Sequence, residues 1–99
     1  MVKHIVMFKL VAFDTPEAKA AKLAEIKTGL EALVDKIEVL KSMKVGINAN
    51  PAEIYDFVLV SEFEKMEDVE VYAKHPEHVA VAQIIGAVKD SRAGVDFIV

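Results

Sequence analysis

The segment VYAKHPEHVAV, residues 71–81, carries two of the chain's three histidines and one of its two tyrosines. Tyr72, His75 and His78 recur at every third position, with Pro76 between the histidines. A proline pushes the residue before it out of helical geometry and is itself well suited to the first helical position. The spacing therefore predicts a helix that stops near Lys74 and another that opens at Pro76. His78 then becomes the third residue of the new helix, near the positive end of its macrodipole, which disfavours an imidazolium. A neutral imidazole accepts a proton at pH 7, and a phenol such as Tyr72 steadies a developing oxyanion by donating a hydrogen bond. Each residue also has an architectural reading. His75 serves as a helix stop or cap, Tyr72 fits the core with its hydroxyl at the rim, and His78 pairs with a buried partner. The spacing of His75 and His78, even with Glu70 or Glu77 nearby, lacks the two histidines on one helical face that zinc motifs show, so no metal site is expected.

These side chains need elements to position them. Residues 2–10, VKHIVMFKL, alternate as a strand, with His4, Val6, Phe8 and Leu10 on one face and Lys3, Ile5, Met7 and Lys9 on the other. Thr15 caps a helix opened by Pro16, and Leu23, Ile26, Leu30 and Leu33 form its apolar stripe at spacings of three and four. Residues 39–48 read as a second strand, with Val39, Met43, Val45 and Ile47 opposite Leu40, Ser42, Lys44 and Gly46. Residues 54–63, IYDFVLVSEF, form the strongest strand in the chain. The broken helix around Pro76 continues through Val81, Ile84, Ile85 and Val88. SRAG, residues 91–94, reads as a turn, after which VDFIV closes the chain as a last strand.

Composition bounds the class. At 99 residues, 54% apolar and 28% charged, with a net charge of −4, the chain reads as one ordered domain over 1–99. Its mean hydropathy of +0.31 leans further apolar than a small monomer needs. Lys and Arg are scattered, with no basic stripe for phosphates, so nucleic acid is not an expected partner. The absence of cysteine excludes disulfides and thiolate chemistry. No apolar run reaches membrane-spanning length and the first ten residues do not make a signal peptide. The expectation is a soluble cytoplasmic protein without membrane contact.

Strand, helix, strand, strand, broken helix, strand is the order of an α+β, ferredoxin-like fold: a four-stranded antiparallel sheet with helices on one face. With His4, Val6 and Phe8 toward the helices, the second face presents Ile5, Met7, Val58, Val60 and Ile98, the last opposite Val95 and Phe97. A sheet face meeting water should be polar. This one is apolar, and a homodimer through the sheet face, with two sheets back to back, is the economical way to cover it.

VKHIV at 2–6, Gly46 with Asn48, YDFVLVSEFE at 55–64, Tyr72, HPEHV at 75–79 and VDFIV at 95–99 together resemble the stress-responsive dimeric α/β-barrel (Dabb) family. The resemblance runs through essentially the whole chain. It implies a homodimer whose sheets close one barrel, and its members range from plant stress-induced proteins of unsettled biochemistry to a plant polyketide cyclase. In the cyclase-like members the resemblance implies a pocket between sheet and helices at positions matching His4, Tyr72 and His78. Those members carry a further histidine where this chain has Phe57.

An aldol-type ring closure needs a base for an acidic proton between two carbonyls and a donor for the enolate oxygen, roles that fit His78 and Tyr72, with His4 orienting the substrate. Val6, Phe8, Leu23, Ile26, Phe57 and Leu59 are the expected apolar wall of a ligand pocket. Two functions follow: a stress-response protein binding a small apolar or aromatic metabolite, or a cofactor-free cyclase, isomerase or lyase. Neither calls for a cofactor.

Overall fold

The computed structural model describes residues 1–99, and its elements follow the order expected. They are β1 (Val2–Leu10), α1 (Pro16–Glu31), a 3-10 turn (Ala32–Asp35), β2 (Ser42–Ile47), β3 (Phe57–Phe63), α2 (Met66–Lys74), α3 (Pro76–Gly86) and β4 (Lys89–Ile98). All strand pairs are antiparallel, in the order β2-β3-β1-β4 of a ferredoxin-like sheet.

Local chemistry sets the helix boundaries. Thr15 is extended and its Oγ1 accepts the Ala18 N–H at 3.0 Å, with Pro16 taking the first helical position where its missing N–H is harmless. Lys74 ends α2 as the proline rule requires. His75 adopts φ −65° and ψ 134°, and Pro76 starts α3. The core forms where the Leu23, Ile26 and Leu30 stripe of α1 meets Val6, Phe8, Val45, Phe57 and Leu59 on the sheet.

Two strand limits differ from the sequence pattern. The stretch before Ser42 turns instead of extending: the Leu40 N–H reaches the Ile37 carbonyl at 3.1 Å, so both apolar side chains drop into the core. Leu40 is thereby buried, although alternation set it opposite Met43 and Val45, and Ile47 at the far end lies exposed. The strand through 54–63 is paired only from Phe57, and Ile54 stands in solvent.

The fourth strand brings a larger correction. Residues 91–94, expected as a turn, lie inside β4, where Ser91, Arg92, Ala93 and Gly94 face Lys9, Phe8, Met7 and Val6. No residue in the chain has a positive φ, so Gly94 is not used for a turn. The open edge of β1 offers this stretch a full ladder of backbone partners, and that outweighs its turn-prone composition.

Register also reassigns the faces. Directly opposed residues of antiparallel strands share a face. Ile98 pairs with Val2 and Asp96 with His4, which puts both on the helix side, whereas Phe97 pairs with Lys3 and Val95 with Ile5 on the outer side. Ile98 therefore does not belong to the outer face. That face is formed by Ile5, Met7, Val58, Val60, Val95 and Phe97, and the exposures of Val95 and Phe97, 56% and 41%, mark it as uncovered in the single chain.

Asp56 ties the sheet to α1. Its carboxylate accepts the Leu10 N–H at 2.7 Å and meets the Lys19 Nζ at 2.6 Å. Burial alone would raise this carboxyl, but the Leu10 N–H and Lys19 outweigh it and hold the group below the usual carboxylate range. Asp56→Ala should cost about 1–3 kcal/mol by leaving the part-buried Leu10 N–H without its acceptor. Because the folded-state value is depressed, this contribution is complete above the ordinary aspartate range near ~4 and is lost as pH falls through the lower folded value. Urea midpoints of the two proteins should therefore differ at neutral pH and converge in acid.

Candidate functional site

Three separate elements deliver the aromatic polar groups. His4 is on the helix side of β1, Tyr72 is in the last turn of α2, and His78 is in the first turn of α3. The break between the helices sets the last two. His75 caps α3 by accepting the Glu77 N–H on its Nδ1 at 3.1 Å, as expected for a residue held extended before proline. The bend brings the Tyr72 and His78 rings to a centroid separation of 4.3 Å. Tyr72 also meets His4 edge-on at 6.3 Å and Phe63 at 5.3 Å.

These rings border a cavity of about 390 Å³ between sheet and helices. His4, Tyr72, His78, Val6, Phe8 and Leu59, six of the nine residues expected at the site, line it. Leu23, Ile26 and Phe57 do not; they are buried in the core. Ile85 and Val69 of the broken helix supply apolar wall in their place, while Lys89, Arg92 and Asp96 of β4 add polar groups.

Hydrogen bonding fixes the protonation pattern. The His78 Nδ1 lies 2.9 Å from the Ala73 carbonyl. A carbonyl only accepts, so Nδ1 carries the hydrogen and Nε2 retains its lone pair. Burial is the main force pulling His78 below the ordinary histidine range; the Ala73 bond opposes it, and the proximity of His4 and His75 adds to it. The expected neutral imidazole thus has desolvation as its principal cause. Tyr72 is 2% exposed, and its hydroxyl has no hydrogen-bond partner. Burial pushes this phenol well above its ordinary range, so it stays protonated and can only offer its hydrogen or accept one.

The His4 Nδ1 meets the Asp96 carboxylate, an arrangement that orients the ring across the strand pair. Asp96 was missing from the sequence-derived site because alternation placed Val95 and Phe97 inward. The signal was present in the residue type: within VDFIV, the one charged side chain lies opposite His4 of β1. Arg92 and Lys89 were missed because 91–94 read as a turn.

Comparison with known proteins identifies the family and the fold. The family model of the stress responsive A/B barrel domain (Dabb) matches residues 2–99. The chain belongs to the Dabb family. A dimeric ferredoxin-like protein of unknown function from Bacteroides fragilis is 46% identical, with a TM-score of 0.91 over 97% of this chain and 93% of that one. A second dimeric protein of unknown function, from Thermobifida fusca, is 27% identical, with a TM-score of 0.83 over 99% and 90% of the two chains. Among curated proteins, the stress-response A/B barrel domain-containing protein DABB1 of Arabidopsis thaliana is 29% identical over 99% of this chain and 47% of its own length. This Dabb chain thus spans about half the length, or less, of the curated relatives it matches. No helix in it is long and apolar enough to cross a membrane.

An unpartnered buried hydroxyl is a liability for the empty protein, since leaving such a group unsatisfied costs about 1–3 kcal/mol. Tyr72→Phe should therefore leave the ligand-free protein equally stable or raise its stability by up to ~1 kcal/mol, read from the denaturant midpoint. A marked loss of stability would mean that the hydroxyl has a structural partner.

Proposed function

We propose that this Dabb chain binds a small apolar or aromatic metabolite in the cavity between sheet and helices. The single observation supporting this most is that His4, Tyr72 and His78 line that cavity together, with the Tyr72 hydroxyl buried and without a partner. A ligand carbonyl or hydroxyl would satisfy it, while Val6, Phe8 and Leu59 would take the apolar body. His78→Ala should abolish binding while stability changes by less than about 1 kcal/mol, because its ring faces the cavity and the Ala73 carbonyl it leaves behind can rehydrate. Calorimetric titration with aromatic and alkyl carbonyl compounds, beside urea melts of both proteins, checks this. A large destabilisation with no ligand bound by the wild type would reduce His78 to a structural role.

A second reading, a cofactor-free cyclase, isomerase or lyase, is supported by the adjacency of a base and a donor. The His78 Nε2 lone pair would take a proton from carbon next to a carbonyl, the resulting enolate oxygen would be steadied by the Tyr72 hydroxyl, and His4, oriented by Asp96, would position the substrate. Exchange of such a carbon-bound proton with deuterated water, lost in His78→Ala, is the distinguishing measurement. Its absence across ligands that bind would leave the binding function alone.

The assembly we propose is a homodimer through the outer sheet face, in line with the two dimeric relatives. Ile5, Met7, Val58, Val60, Val95 and Phe97 form a continuous apolar band there, and a stable contact on the order of 1,200–2,000 Å² is within reach of a four-stranded sheet. Light scattering at micromolar concentration should give twice the chain mass for the wild type. Val60→Asp would bury an unpaired charge and should shift the protein to monomer.

A further inference from the structure

The helix-side face of β4 carries Lys89, Arg92 and Asp96, all of which border the cavity. Asp96 is engaged by His4. Neither Arg92 nor Lys89 forms an ion pair, although eight such pairs occupy other lysines, a histidine and their acids. The Arg92 side chain runs against Gly94. A Cβ on Gly94 would lie 3.2 Å from Arg92 Nη1 and 3.4 Å from Nη2. The guanidinium therefore lies along the strand over Gly94, toward the row that holds His4 and Asp96; a Cβ there would press on it slightly, and a branched side chain would push it aside.

A chain of net charge −4 thus has a local excess of positive charge at this cavity, with two unpaired cations against one engaged carboxylate. Both cations are exposed on the edge strand, Tyr72 is buried, and the same cavity is lined by the apolar side chains of Val6, Phe8 and Leu59. A planar guanidinium without a partner is matched by a carboxylate, which it can hold by two parallel hydrogen bonds.

Building on the cavity-binding reading above, we infer that the ligand is an amphipathic carboxylic acid whose carboxylate is held by Arg92 over Gly94. Lys89 adds charge at the mouth, Phe8, Val6 and Leu59 contact the apolar body, and Tyr72 donates to an oxygen further along the ligand.

The test uses matched acid and amide probes: benzoate with benzamide, 2-naphthoate with 2-naphthamide, and octanoate with octanamide, titrated calorimetrically at low ionic strength. At least one acid should bind about tenfold or more tightly than its amide, a difference of about 1.4 kcal/mol. Added salt should weaken the acid alone. Arg92→Gln should lower the acid to the affinity of its amide and leave the amide unchanged, which also shows that the variant is folded. Gly94→Val, which displaces the guanidinium without removing it, should have the same effect on the acid. Acids and amides binding equally would overturn the anion subsite and leave the cavity reading intact. An acid preference that survives Arg92→Gln would overturn the assignment to Arg92. Binding of no probe of either kind would overturn the cavity reading, and the subsite with it.

Discussion

Pro76 denies helical geometry to the residue before it, and the arrangement of the site depends on that one restriction. An uninterrupted helix would place Tyr72 and His78 six residues apart, about 120° from each other around its axis. With His75 held extended and capping the next turn, their rings meet at 4.3 Å and share one cavity wall with His4. The same break frees the Ala73 carbonyl near the end of α2, and His78 donates to it. A backbone constraint thus selects the tautomer of a side chain that lines the cavity.

Much of this was legible in the sequence because it rests on short-range rules. Thr15-Pro16 and His75-Pro76 marked helix starts through local geometry, and the leucine and isoleucine spacing of α1 marked its buried stripe. His4, Tyr72 and His78 could be grouped through the resemblance to the Dabb family, and the fold brings them to one cavity. What failed depended on partners far along the chain. Whether SRAG turns or extends is decided by the free edge of β1, more than eighty residues earlier, and a five-residue strand has too few alternations to show which face is inward. Those two errors hid three polar residues of the site, since Arg92 and Lys89 fell outside the expected strand and Asp96 fell on its wrong side. The pocket wall was overextended for a related reason. Leu23, Ile26 and Phe57 share the core with the lining residues, but periodicity gives the buried face and not which of its residues border a cavity, and these three do not.

The polar groups near the cavity differ in how fully they are satisfied. Asp56, at the other end of the sheet, has a backbone donor and a lysine, and it acts as a structural tie. The Tyr72 hydroxyl has neither kind of partner. Folded chains rarely leave a buried hydroxyl unbonded, so an exception beside a cavity is informative about what the cavity is for.

The two edge strands have a further effect on how copies of the chain meet. β4 carries Lys89, Asp90, Arg92 and Asp96 and has a register shift opposite Lys9 and Leu10, while β2 is only six residues long with Lys44 in its middle. Charge, irregularity and brevity are the devices by which exposed strand edges avoid recruiting another strand. Sideways growth of the sheet is discouraged at both margins, even though its outer surface is greasy. Crowded copies of this chain are thereby steered away from open-ended stacking into fibres and toward contacts that close on themselves.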